Sequence, residues 1–323
     1  MDDSTAIPRR LPVVDVLRGV ALVAMIVYHF SWDLAYHRLV DWDVAGDPVW
    51  RDFARTIAAS FLAISGLSLV LARRAGADAG RYAFRVAKIG AAAAAVTAVT
   101  YAMFPDSFVF FGILHMIATG AILSAPLLGA PAIVPALLAA AVSWIAATVT
   151  HPLFDAPLLW WVGLSTTTPV SNDYVPVFPW LAPMLVGVAV GRLVATGRIR
   201  LPSATPTAAP LRALAAAGRW SLVVYLVHQP LLFGLVSVAA GVLPTSPAVE
   251  RARFVGECRA ECVRWDDRPG YCERFCGCVA SSLDGTSYFS VRGGDPELGT
   301  LVATAATTCR TAEDDAGAEA PAE

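Results

Sequence analysis

Residues 13–33 read VVDVLRGVALVAMIVYHFSWD. The stretch is long and apolar enough to cross a bilayer, since a helical span needs about 20 apolar residues. It nevertheless carries Asp15, Arg18 and His29. The chain around it is 56% hydrophobic and 15% charged over 323 residues, with a mean hydropathy of +0.59. Soluble domains hold about 25% charged residues. So much apolar surface exceeds what one soluble core hides, and the excess must face lipid. The first segment is not expected to be a cleavable leader, because its apolar core is too long, holds charge and lacks a small-residue cleavage site.

The same criterion gives seven apolar segments, roughly 12–30, 53–72, 86–104, 108–128, 131–149, 176–195 and 219–243. The expected fold is all-α: a polytopic membrane helical bundle of about seven spans with a small Cys-rich extracytoplasmic C-terminal tail. Residues 10–245 form the membrane domain and 246–323 the tail. Basic residues set the orientation. Arg9, Arg10, Arg73, Arg74, Arg81, Arg85, Lys88, Arg192, Arg198, Arg200 and Arg212 fall in one set of connections. The opposite set holds Arg38, Arg51 and Arg55, and residues 150–175 contain no Lys or Arg. The N-terminus is therefore expected in the cytoplasm and the tail outside. Trp32, Trp42 and Trp50 in the first outer loop suit an interfacial aromatic belt. Pro176 and Pro179 suit the first turn of the sixth segment, and Pro183 is expected to kink it.

All six cysteines lie in the tail, as C-x3-C-x9-C-x3-C followed by C-x-C spacing at 276–278 and by Cys309. Residues four apart share a helix face. A helical hairpin turning at Pro269-Gly270 would bring the two faces together, and an oxidising compartment favours disulfides across it. A thiolate zinc site is the competing expectation. The segment TAEDDAGAEAPAE, residues 311–323, has a disordered composition.

Charge inside a span costs about 2.5 kcal/mol or more at its centre and normally faces protein or a wet cavity. At about 100° per residue, Arg18 and His29 differ by about 20° around the helix, and Asp15 lies about 60° from Arg18. The three line one stripe, about 16 Å long from Arg18 to His29. Segment four adds His115. Segment seven adds Ser221, Tyr225 and His228 on one face, with Gln229 beside them. Interhelical hydrogen bonding explains Ser221 and Tyr225 equally well. Three histidines on three segments suggest chemistry instead. Histidine accepts a proton near neutral pH, and arginine holds an anion or polarises a carbonyl. Proton abstraction at His29, with an arginine-anchored partner arriving from the cytoplasm, is the expected reaction class.

RLPVVDVLRGVALVAMIVYHFSWDL resembles the opening motif of the bacterial branch, a domain of unknown function, of the heparan-α-glucosaminide N-acetyltransferase catalytic-domain family. FFGILHMIA, DYVPVFPWLAPMLVGVAVG and GRWSLVVYLVHQPLL resemble its later motifs in order, so the likeness covers roughly residues 10–240. It implies transfer of an acetyl group from cytosolic acetyl-CoA, as co-substrate, to an amino or hydroxyl group of an extracytoplasmic sugar or glycan. Asp15, Arg18 and His29 match the D-x-x-R-G…H motif of membrane acyltransferases, and Asp33 is placed to orient His29. The lysosomal relative has Asn at the position of His29 and an active histidine in its first luminal loop, where this chain offers His37. His115, Tyr225, His228, Gln229 and Trp180 are the expected substrate contacts. The implied setting is a bacterial inner membrane. No metal and no nucleic-acid partner are expected. Acetyl-CoA would need a basic mouth, which Arg73, Arg74, Arg81, Arg85 and Lys88 supply, although topology alone would also explain them. The rival function is a proton-coupled transporter using the same His, Asp and Arg residues; seven spans without matched halves argue against it.

Overall fold

A computed structural model describes residues 11–243, 246–266, 268, 270–286, 288–289 and 296–318. Arg9, Arg10 and Pro269 lie outside them, as do residues 319–323 of the acidic C-terminal segment. Among the described residues the chain is helical, with a single isolated bridge between Phe111 and Tyr174.

Five helices are long and apolar enough to span a bilayer: α1 (Pro12–Tyr36), α2 (Pro48–Arg74), α3 (Ala79–Met103), α6 (Val177–Ala195) and α8 (Ser221–Val242). Two expected segments are shorter. α4 (Ile113–Ser124) continues as a 3-10 turn to Gly129, and α5 covers Ile133–Thr148. The third helix starts at Ala79, capped by the Asp78 side chain, so Arg81, Arg85 and Lys88 lie on α3 and not in a connection. An amphipathic helix α7 (Ala209–Arg219) precedes α8.

The chain divides into two compact units. One comprises the described residues up to Tyr28 with Pro48–Pro230; the other comprises His29–Asp47 with the described residues from Leu231 onward.

In the first unit, α2 and α6 are held together through small residues. A Cβ on Gly187 would fall 1.9 Å from the Ala63 carbonyl oxygen, and one on Gly66 would fall 2.1 Å from that of Met184. Gly187 and Gly191 form a G-x3-G pair, the spacing that lets helix backbones approach inside a membrane. α7 docks on α1 the same way: a Cβ on Gly218 would sit 1.9 Å from the Asp15 carbonyl oxygen. Leu62, Met116 and Met184 are fully buried in the core that α2, α4 and α6 share.

The break in α6 falls at Phe178 (φ −97°, ψ 124°), not at Pro183. Phe178 precedes Pro179, and a residue before proline is pushed out of the helical region by the ring. Pro183 sits one turn further on, inside the helix. The connection before α6 is stitched to the α3–α4 turn by Asn172 N–H to Ser107 O (2.7 Å) and Val175 N–H to Phe111 O (3.0 Å).

In the second unit, α9 (Pro247–Cys262) and α10 (Tyr271–Leu283) form the expected hairpin, joined by Cys258–Cys276 and Cys262–Cys272. Cys278–Cys309 ties α10 to α11 (Pro296–Ala318). All six thiols are thus disulfides. Val279, Leu283, Phe289 and Ala305 make the core beneath them. Residues 311–318 are helical, contrary to the expected disorder. Ala and Glu favour helix, and Glu313 pairs with Arg274 on α10 at 2.8 Å.

Candidate functional site

The helix α1 has a lipid side and a protein side. Leu17, Val20, Val23, Val27 and Phe30 are exposed, while Val14, Ala21, Leu22 and Met25 are buried. Helical spacing puts Arg18 and His29 in the middle of the buried side. Both are half-buried, and Asp33, one turn beyond His29, is wholly buried. The face is not polar throughout, however. Leu22 and Met25 lie between Arg18 and His29 and pack with Ile57 of α2. The stripe is two polar ends separated by an apolar plug.

At the end of the unit where α1 and α3 begin and α2 stops, Arg18 pairs with Asp15 at 3.2 Å and donates to Ser68 Oγ. Ser68 gives its own proton to Ile64 O (2.6 Å), so its oxygen is free to accept from the guanidinium. Arg85 of α3 is half-buried. It lines a small cavity with Ser65, Ile117, Ala121 and Met184. Arg81, by contrast, pairs with Asp78 and donates to the Gly76 carbonyl.

A second group gathers around the start of α4. His115 Nδ1 accepts the Gly112 N–H at 3.2 Å, and Nε2 lies 3.2 Å from Thr97 Oγ1. Thr97 donates to Val109 O (2.6 Å), so its oxygen accepts and His115 carries its proton on Nε2. Both ring nitrogens are committed to structure.

Asp173 opens the segment DYVPVFPWLAPMLVGVAVG, just before α6. Its Oδ2 accepts the Ile113 N–H at 2.8 Å, against Gly112, where a Cβ would fall 2.3 Å from that oxygen. Burial raises its pKa to about 6, against the opposing Ile113 hydrogen bond. One signal could have marked it: Asp173 is the sole acidic residue between Asp155 and Glu250.

Tyr225 packs against three of the unit's core clusters and against the His228 ring, 5.7 Å away. His228 is buried, and its Nδ1 lies 2.6 Å from the Tyr225 carbonyl. A carbonyl only accepts, so Nδ1 carries the proton and Nε2 is the basic nitrogen of the neutral ring. Gln229 follows on α8 and is half-buried. Trp180 packs on the α2–α4–α6 core. In the other unit, His37 Nε2 meets Ser237 Oγ at 2.9 Å, and its ring packs on Tyr36 and Phe233. Ser237 donates to Phe233 O (2.6 Å), so His37 donates to Ser237.

Within the first unit, then, Asp15 joins Arg18, and Tyr225 joins His228, while His115 is absorbed into a helix start. His29 and Asp33 share one face of α1 in the second unit.

The family model described as "Heparan-alpha-glucosaminide N-acetyltransferase, catalytic" matches residues 10–230. No curated protein and no solved structure matches the chain.

Proposed function

Because the chain belongs to the heparan-alpha-glucosaminide N-acetyltransferase catalytic family, a family of membrane acyltransferases, we propose that it moves an acetyl group from cytosolic acetyl-CoA to an amino or hydroxyl group of a sugar or glycan across the membrane. The observation that carries this is the protein-facing side of α1, where the Asp15–Arg18 pair and His29 occupy opposite ends of one helix face. Arg18 holds the anionic donor, with Asp15 fixing the guanidinium. His29 takes the proton of the acceptor as its nitrogen or oxygen bonds to the thioester carbon. The carbon–sulfur bond breaks and the leaving thiolate receives the proton. Asp33, one turn away and buried, orients the His29 ring. Tyr225, His228, Gln229 and Trp180 contact the acceptor, His228 presenting Nε2 as a hydrogen-bond acceptor. Residues 10–245 constitute the transferase domain and 246–323 an extracytoplasmic tail, as three disulfides suit an oxidising compartment. The N-terminus lies in the cytoplasm of a bacterial inner membrane.

Purified full-length protein tests this directly. Release of coenzyme A from acetyl-CoA is followed with glucosamine or an amino glycan as acceptor, for the wild type and for His29→Ala. Acceptor-dependent release, lost in the variant, is expected. Release that survives the substitution removes His29 from its role. No release with any acceptor returns the polar residues to a transport role.

A further inference from the structure

The helix α5 is short for a span. Its 16 residues rise about 24 Å, whereas the hydrocarbon core of a bilayer is about 30 Å thick. Ile133, Leu137 and Trp144 are exposed along it, and steps of four and seven residues keep them on one face. In a membrane protein that face meets lipid. The chain does not turn polar where α5 ends. Residues 149–170 contain one charged side chain, Asp155, and no Lys or Arg. Two 3-10 turns follow, Pro152–Asp155 and Pro157–Val162. Leu153, Leu158 and Val170 stand 62%, 83% and 75% exposed, and Trp161 41%.

The polar groups of this connection bond one another. Asp155 Oδ1 accepts the Thr166 N–H and Oδ2 the Thr166 hydroxyl, each at 2.7 Å. His151 Nδ1 accepts the Leu153 N–H at 3.1 Å, and the His151 backbone N–H donates to Leu164 O at 3.0 Å. Proline opens both 3-10 turns, where an N–H would lack a partner. Trp160 Nε1 donates to Asp155 O at 2.9 Å, and Tyr174 donates its hydroxyl to Trp160 O at 2.7 Å. The backbone is thus held in place while large apolar side chains are left on show. Internal satisfaction of hydrogen bonds is what a low-dielectric surrounding demands.

We propose that residues 149–170 lie along the bilayer surface as an interfacial lipid-binding element, with Leu153, Leu158 and Trp161 at the boundary between headgroups and acyl chains. The lipid-facing side of α5 leads directly into it, and its apolar side chains supply the depth that α5 lacks. Lipid suits this surface better than a sugar does. A sugar platform presents aromatic faces beside open hydrogen-bonding groups. Here three of the four exposed side chains are aliphatic, and Asp155 and Thr166 already bond each other. Without a cation in the element, its hold on the membrane is apolar burial and not attraction to anionic headgroups. Trp160 packs on Phe110 (5.5 Å) and Trp161 on Phe111 (6.2 Å), so the element also joins the lipid surface to the start of α4.

Nitroxide labels on full-length protein in phosphatidylcholine vesicles test this. The six native cysteines are all in disulfides, so Leu153→Cys and Leu158→Cys, made separately, each supply one reactive thiol. Leu137→Cys on the exposed face of α5 marks lipid, and Asp106→Cys in the exposed α3–α4 turn marks water. Collision with oxygen, which dissolves in lipid, is compared with collision with a water-soluble nickel chelate. Labels at 153 and 158 are expected to meet the chelate several-fold less often than the label at 106, and oxygen as often as the label at 137. Chelate collision equal to that at 106 overturns the proposal. Protection that appears only when an amino glycan is added also overturns it and makes the surface a sugar platform. Replacing part of the phosphatidylcholine by phosphatidylglycerol should change neither label, and protection that requires the anionic lipid refutes apolar burial as its basis.

Discussion

Asp173 Oδ2 accepts the backbone N–H of Ile113 at 2.8 Å, so a carboxyl from the connection before α6 closes the first turn of α4. A helix start leaves N–H groups without intrahelical partners, and an acidic oxygen there is favourable. Burial works the other way and dominates, raising the Asp173 pKa from 3.8 to about 6.

The sign of the resulting pH dependence follows. Between pH 4 and 6 the folded protein still holds this proton while the unfolded chain has released it. The contribution of Asp173 to folding stability is therefore greatest below about pH 4 and falls as pH rises through 6, then levels, by at most about 3 kcal/mol. Asp173→Asn keeps a carbonyl oxygen for Ile113 and removes the charge. Thermal midpoints in detergent from pH 4 to 7 should lose the slope due to this residue in the variant. An unchanged slope would assign the pH dependence to other groups.

The close approach of α2 and α6 leads to a second expectation. Gly187→Ala places a methyl group 1.9 Å from the Ala63 carbonyl oxygen, a backbone atom that cannot swing away. The helices must separate, and overpacking of this kind costs about 1–3 kcal/mol. Gly234→Ala on α8 meets nothing within 4 Å and should be neutral or slightly stabilising. Paired unfolding midpoints measure the contrast, and equal midpoints would remove the small-residue contact as a determinant of this packing.

The tail offers a third. Cys278–Cys309 joins residues 31 apart and anchors α11 to α10. Closing a loop of this length stabilises by about 3–4 kcal/mol in the chain-entropy account. Replacing both cysteines by serine should expose α11 to protease in otherwise intact protein, seen as early cleavage within that helix, while α9 and α10 stay joined by their two bridges. Resistance equal to the wild type would show that the apolar core of Val279, Leu283 and Ala305 suffices.

Much of this architecture was legible because lipid imposes long apolar runs, and α1, α2, α3, α6 and α8 follow them. The cysteine spacing likewise required a hairpin once helices were assumed. What escaped depends on non-local contacts. Nothing near Pro179 and Pro183 says which one breaks α6; the conformational limit on Phe178 decides it. Arg85 read as a loop charge because hydropathy windows trim charged helix ends, whereas Asp78 caps the helix further out. Helical periodicity placed Arg18 and His29 on one side but could not show Leu22 and Met25 filling the space between. Asp173 escapes the sequence because the N–H it accepts, that of Ile113, lies 60 residues away at the start of α4.

Histidine roles separate by the same logic and give the sharpest test. His115 spends Nδ1 on Gly112 and Nε2 on Thr97, so its work is structural. His115→Ala leaves a buried N–H and a hydroxyl oxygen without partners, at about 1–3 kcal/mol. It should lower the unfolding midpoint while the protein that remains folded turns over acetyl-CoA at near wild-type rate. His29 is expected to behave oppositely, its alanine variant folding normally and losing 10²–10⁴-fold in rate, the usual contribution of a general base. His228→Asn tests the intermediate case. Asparagine can still donate to the Tyr225 carbonyl, as Nδ1 does, but has no counterpart of Nε2. A raised KM with kcat largely kept is the signature of a residue that binds the acceptor. A loss confined to kcat would make His228 the proton acceptor and demote His29.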